Sequence, residues 1–148
     1  MLKRFSILAV SSYIALLSAL APALFLPEVA RAEDEVKKCE PEPTDMTITY
    51  GDRITCGLHG GGDSDIFRLE GTAGDRIIFG LSASISKQVE VIDPSGNTLD
   101  KRGGKGVRYE LTLKETGTYT FIVTPNTSTG SYLIEVSCVI GSCLSSQN

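Results

Sequence analysis

The 148-residue sequence contains no tryptophan and a single histidine, His59, and only 7% of its residues are aromatic. Beyond the apolar segment that opens the chain, apolar side chains nowhere recur every 3.6 positions, which excludes amphipathic helices and coiled coils. The C-x-x-C motif is absent. With one histidine, a four-ligand zinc site would have to draw cysteines from both ends of the chain. No G-x-S-x-G follows residue 32, which removes the strand-to-helix nucleophile elbow of many hydrolases. Positive charge is also scarce: residues 33–148 hold 11 basic against 17 acidic residues, a net of −6. Nucleic-acid binding depends on neutralising phosphates, so that class is excluded as well. There is no repeat of fixed period and no low-complexity segment.

What the sequence does have begins at the N-terminus. Lys3 and Arg4 precede a mostly apolar run from Phe5 to about Leu26, and Ala30, Arg31 and Ala32 supply an A-x-A-like site. This is the pattern of a secretory signal cleaved before Glu33. Pro22 and Pro27 break the run and Ser11, Ser12 and Ser18 dilute it, which weighs against a retained anchor. The first cysteine, Cys39, follows Val36, Lys37 and Lys38 rather than the apolar run, which argues against lipidation. The expected organisation is a signal over 1–32, an extended, charged, proline-containing arm over 33–43, one β domain over 44–138 and a tail over 139–148. The expected location is secreted or periplasmic, with no membrane span after cleavage.

From Thr44 onward the period is two. Met46, Ile48 and Tyr50 alternate with Thr47 and Thr49. Gly51 and Asp52 turn the chain, and Arg53 to Leu58 returns, which predicts a hairpin. His59 to Asp65 is too rich in glycine to be anything but a loop. Phe67 and Leu69, then Ile77, Phe79 and Leu81, then Val89 and Val91, take one parity, with turns at 71–75 and 93–97. Lys101 to Gly106 reads as a basic, glycine-rich loop. Three further strands close the chain, and the middle one, Thr118 to Val123, is expected among its sequence neighbours, Val107 to Leu113 and Ser131 to Val136. The turn spacing predicts an all-β, jelly-roll-like antiparallel β-sandwich of eight or nine strands.

Cys39, Cys56, Cys138 and Cys143 are four in number, and in an exported chain this argues for two disulfides. Ile54, Cys56 and Leu58 share one strand face, as do Ile134, Val136 and Cys138, so both inner cysteines point to the core. That favours the nested pairing, Cys56 with Cys138 and Cys39 with Cys143. The local pairing, Cys39 with Cys56 and Cys138 with Cys143, stays open.

Six motifs in order carry a family resemblance. They are Gly51-Asp52, Asp63-Ser64-Asp65-Ile66-Phe67, Gly71-Thr72-Ala73-Gly74-Asp75-Arg76-Ile77, Asp93-Pro94-Ser95-Gly96-Asn97-Thr98-Leu99, Glu115-Thr116-Gly117-Thr118-Tyr119 and Thr129 to Val136. Over about Tyr50 to Val136 the chain resembles the bacterial pre-peptidase C-terminal domain, which is similar to the collagen-binding domains of bacterial collagenases. The resemblance implies a jelly-roll-like sandwich in an exported protein, with turn glycines and core aromatics at the matching positions and no shared catalytic residues. No peptidase accompanies it here, and the cysteines depart from the family pattern, so no parent enzyme's substrate is carried over.

Few residues offer chemistry. His59 to Gly62 matches the oxyanion-loop string of lipases, and Ser64 lies nearby. No helix follows that serine, and no separate base is at hand, so a hydrolase is the remote alternative. Asp63 and Asp65 are calcium candidates, but two carboxylates fall short of the six to eight oxygens calcium takes. No cofactor is expected. Lys101, Arg102, Lys105 and Arg108 place four positive charges in eight residues of an acidic domain, where they can steer an anionic partner or simply remain solvated. With Tyr119, Phe121 and Val123 inward, Ile122 faces outward, and so by parity do Ile66, Ile78 and Ile92. These isoleucines, flanked by the basic segment, are the candidate contact face. The reading that follows is an exported, non-catalytic binding or adhesion accessory with a protein or polysaccharide partner at the cell surface; the alternative is a structural envelope module without a specific ligand. Denatured without reductant, the purified protein should show no free thiol by a colorimetric thiol assay. Two or more reactive thiols would remove the disulfide assignment.

Overall fold

The structure, a computed structural model, describes residues 35–147 except 40, 43, 60, 61, 127 and 128. The expected signal segment lies outside the described residues. Alternating apolar side chains produce eight strands: β1 (Val36–Lys38), β2 (Asp45–Ile48), β3 (Arg53–Leu58), β4 (Asp65–Gly71), β5 (Arg76–Ile92), β6 (Thr98–Thr112), β7 (Gly117–Pro125) and β8 (Gly130–Ile140). A short 3₁₀ helix, Ser142–Gln147, follows. They form one curled, mixed sheet in the order β1-β3-β8-β5-β7-β4-β2, with β6 paired to β5.

The curl comes from β5. Along one edge its first half, Arg76 to Ala83, pairs with β8, and its second half, Lys87 to Ile92, pairs with β7. Along the other edge β6 follows both halves, and the register shifts between Ser82 and Lys87. A shift of this kind bends a strand and raises its twist. The β8 half and the β7 half therefore face one another as the two layers of a sandwich. Phe79 of β5 stacks on Phe121 of β7 with centroids 4.1 Å apart, and Phe67 of β4 meets Tyr132 of β8 edge-on at 6.4 Å. The core holds the inward parity of every long strand, including Ile54, Leu69, Ile77, Val91, Tyr109 and Ile134.

The predicted hairpin of β2 with β3 does not form. β2 runs parallel to β4, and β3 runs antiparallel to β8. Gly51 and Asp52 do turn the chain, but the Gly51 amide donates to the Val136 carbonyl, so the turn carries the backbone from one layer to the other. Likewise β7 sits between β4 and β5 rather than between its sequence neighbours. The two segments around Ile77 and Val89 are one strand, and Lys101 to Gly106 belongs to β6, not to a loop.

Turns fix the ends. The Asp93 carboxylate accepts the Asn97 amide at 2.7 Å. The Tyr119 hydroxyl donates to the Glu115 carbonyl at 3.0 Å, pinning the entry to β7 as a tyrosine corner does. The Asp75 carboxylate accepts the Ser142 amide at 2.7 Å, and Gly141, at φ +120°, lies so close that a Cβ there would stand 2.2 Å from the Asp75 Oδ1. Only glycine fits that approach.

The nested disulfide pairing is overturned. Cys56 lies opposite Tyr132 in the β3/β8 register. Cys138, six residues further along β8, is therefore roughly 20 Å away at about 3.4 Å per residue, far beyond disulfide reach. Cys39 bonds Cys56 with Cα atoms 5.0 Å apart, and Cys138 bonds Cys143 at 5.7 Å. Within the arm, β1 pairs parallel with β3 and the Cys39 amide donates to the Thr55 carbonyl. Non-reducing peptide mapping should recover these two local pairs. The double variant C39S/C56S, which opens a loop spanning 17 positions, should lose about 3 kcal/mol in urea denaturation on the chain-entropy estimate.

Candidate functional site

Strict alternation places the outward isoleucines. Ile66 on β4 is directly opposite Ile122 on β7, and Ile122 is opposite Glu90 on β5. Ile92, two residues beyond Glu90, lies opposite Thr120 and so diagonally beside Ile122. Directly opposed Cβ atoms are about 5 Å apart, so Ile66 and Ile122 form one apolar contact on the outer face of the β7 layer, where both are half-buried. Ile78 stands elsewhere. Its register partners are Ser137 on β8 and Glu110 on β6, on the other half of the sheet.

Charges frame the isoleucine face, and they are already paired. Arg68 donates twice to the Asp45 carboxylate, at 2.8 and 2.9 Å, beside Ile66. Those hydrogen bonds hold the Asp45 carboxyl below its usual range. Glu90 accepts from the Thr98 hydroxyl at 2.8 Å and from Lys101 at 3.1 Å, and is lowered in the same way. Neither pair carries a charge free to seek an ionic partner.

The four basic residues of β6 divide accordingly. Lys101 is held by Glu90, and Arg102 by Asp100, by the Arg108 carbonyl and over the Tyr109 ring at 4.7 Å. Lys105 and Arg108 are exposed, and no ion pair involves either among the described residues. Arg108 borders a shallow trough floored by Gly80, Ser82 and Gly106.

Asp63 and Asp65 do not act together. Asp65 turns into the core, fully buried, and accepts the Tyr132 hydroxyl from the facing layer through Oδ2. Thr44 also hydrogen-bonds this carboxylate, whose Oδ1 has no close partner of its own among the described residues. Lys87, also fully buried with its Nζ unbonded, supplies the nearby positive charge. Burial pushes the Asp65 carboxyl above its usual range; the hydrogen bonds from Tyr132 and Thr44 work against this, and the charges of Glu42 and Asp63 add to it. Burial lowers Lys87, and the charges of Asp65 and Asp63 resist that shift. Sequence reading overlooked Lys87, although it shares the inward parity of Val89 and Val91. Asp63 instead meets His59 and Glu42: the His59 Nδ1 is 3.9 Å from Asp63 Oδ2 and 3.8 Å from Glu42 Oε1. The Ser64 hydroxyl pairs with Thr124, not with His59.

The chain is thus an all-β module, a single sheet folded into two layers, with an apolar outer face on one layer and acidic groups gathered at one end. No protein-family model matches the sequence, and no curated protein matches it. Among solved structures it is similar to PliG of Aeromonas hydrophila, a periplasmic inhibitor of g-type lysozyme, at 14% identity over 71% of this chain and 100% of that one, with a TM-score of 0.56. It is also similar to the pre-peptidase C-terminal domain of a Bacillus anthracis collagenase, at 17% identity over 71% and 97%, with a TM-score of 0.51. The fold is that of the pre-peptidase C-terminal domain, and at these identities the fold is what is shared.

A carboxyl raised in the folded state stabilises the fold fully below its ordinary value and loses that contribution as pH rises through the raised one. Asp65→Asn keeps an acceptor for Tyr132 and removes the titration. Whatever constant offset the loss of charge near Lys87 introduces, the stability of this variant relative to wild type should increase as pH rises from about 4 to about 7. Urea midpoints at the two pH values measure it, and a difference independent of pH would contradict the assignment.

Proposed function

We propose that the chain is an exported, non-catalytic binding module that engages a protein partner at the cell surface, in the periplasm or outside the cell. The observation that carries this reading is the opposed pair Ile66 and Ile122, with Ile92 beside it, framed by ion pairs that are already closed. A partner covering this face removes apolar area from water without stripping any unpaired charge, as the apolar centre of a protein interface requires. A polysaccharide would call instead for an aromatic stacking platform, and the tyrosines at 109, 119 and 132 are buried. Export is supported by the two disulfides, which persist in oxidising compartments. The non-catalytic reading is supported by Ser64, whose hydroxyl bonds Thr124 rather than a base.

G-type lysozyme is the first partner to try, because the Aeromonas inhibitor of that enzyme shares the fold. Envelope proteins captured by pull-down are the second. I66S/I122S should keep the wild-type melting temperature within a few degrees and weaken partner binding by about tenfold or more. I78S, on the other half of the sheet, should bind as wild type does. Binding that survives I66S/I122S and falls in K105E/R108E would move the site to the trough beside β6.

A further inference from the structure

The parallel pairing of β1 with β3 does more than tie β1 to the sheet. Its register joins Val36 to Arg53, Lys37 to Ile54 and Lys38 to Thr55, a constant offset of 17 that the Cys39 to Cys56 disulfide continues. Three residues beyond each cysteine stand Glu42 and His59, at the same offset of 17. The disulfide therefore anchors both chains just before these two side chains and brings Glu42 Oε1 to 3.8 Å from His59 Nδ1. From the β3/β4 connection Asp63 completes the group, and the ligand atoms of all three lie within 4.8 Å of one another.

We propose that Glu42, His59 and Asp63 form a binding site for a divalent transition metal of the Zn²⁺ type. Around zinc, with bonds of about 2.0–2.1 Å, neighbouring ligand atoms in a tetrahedron stand roughly 3.4 Å apart. The His59 separations of 3.8 and 3.9 Å need to close by about half an ångström, and the Glu42 and Asp63 oxygens, within 4.8 Å of each other, by at most about 1.4 Å. One imidazole with two carboxylates suits zinc; calcium prefers six to eight oxygens and gains nothing from the nitrogen. Three protein ligands leave a fourth position for water. Glu42 and His59 also line a surface cleft with Pro41, Gly57 and Ser131, which leaves that position open to solvent.

The supporting bonds are in place. Glu42 Oε2 accepts the Thr44 amide at 3.2 Å, which leaves Oε1 directed at His59, and Asp63 Oδ2 accepts the His59 amide at 2.9 Å. Such outer contacts orient ligating carboxylates. A second observation points the same way. Two residues past Asp63, the carboxylate of Asp65 is fully buried, and the charges of Glu42 and Asp63 both act on it. Three carboxylates gathered at one end, with Lys87 as the buried cation nearby, make a place where an added divalent cation relieves repulsion.

The test is calorimetric titration of ZnCl₂ into tag-free, chelator-treated protein whose thiols have been verified as oxidised, since reduced Cys39 and Cys56 would compete for the metal. One Zn²⁺ per chain is expected, with a rise in melting temperature and no comparable response to CaCl₂. H59Q, E42Q and D63N should each weaken binding by at least about tenfold while melting as wild type does in chelator. Substituting Co²⁺ should give a visible absorption band that H59Q abolishes. A dissociation constant above about 0.1 mM, zinc binding undiminished in H59Q, or a preference for Ca²⁺ would each overturn the site.

Discussion

The structure depends on one long strand serving two layers. β5 reaches from Arg76 to Ile92, and only because it bends between Ser82 and Lys87 can Phe79 on its first half lie flat against Phe121 on a strand that pairs with its second half. The bend, the stack and the edge-on contact of Phe67 with Tyr132 are one constraint seen at three points. If β5 were straight, its inward side chains would all lie on a single open face, and β7 and β8 would continue that face instead of covering it. Burial of Val89, Tyr109 and Ile134 follows from closure, and so does the cost of placing Lys87 and Asp65 inside it.

That cost falls at the end of the sandwich where the disulfide, the arm and the β3/β4 connection meet. A buried charge is tolerated when an opposite charge and hydrogen bonds accompany it. Here the compensation is spread out: Tyr132 and Thr44 hydrogen-bond the Asp65 carboxylate, Lys87 contributes charge, and Asp63 and Glu42 push in the opposite sense. The apolar outer face is arranged differently. Asp45 with Arg68 and Glu90 with Lys101 neutralise one another at the surface, so Ile66, Ile122 and Ile92 are presented without a net local charge.

Side-chain parity was legible in the sequence because it is a local property of an extended chain. Met46, Ile54, Phe67, Phe79, Val91, Phe121 and Ile134 all point where their alternation says, and the turn motifs at Gly51, Asp93 and Glu115 are turns. Pairing was not legible, because it depends on contacts far apart in sequence. Nothing within residues 46–58 tells that Met46 lies against Phe67 while Cys56 lies against Tyr132. The disulfide pairing failed for the same reason: facing the core on two strands says nothing about position along them. Glycines misled at 103, 104 and 106, which read as a loop although they continue the β6 ladder opposite the bend of β5. Of the isoleucines, parity gave outward orientation for all four, but only the register separates Ile78 from the rest. His59 and Asp63 were each visible, whereas Glu42 was one charge among several in the arm, and its approach to His59 had to wait for the parallel pairing of β1 with β3.

Among the described residues the 15-residue β6 pairs along one side only, with β5. Its other side offers a row of backbone donors and acceptors on which a second chain could add as a further strand, the usual starting point of edge-to-edge aggregation. Lys101, Arg102, Lys105 and Arg108 are carried on that strand. Lys101 and Arg102 are neutralised by Glu90 and Asp100, but two copies meeting edge to edge along β6 would still bring the Lys105 and Arg108 of each, four like charges, into one narrow seam. Lys105 and Arg108 thus weigh against the pairing of two copies along this edge of the sheet.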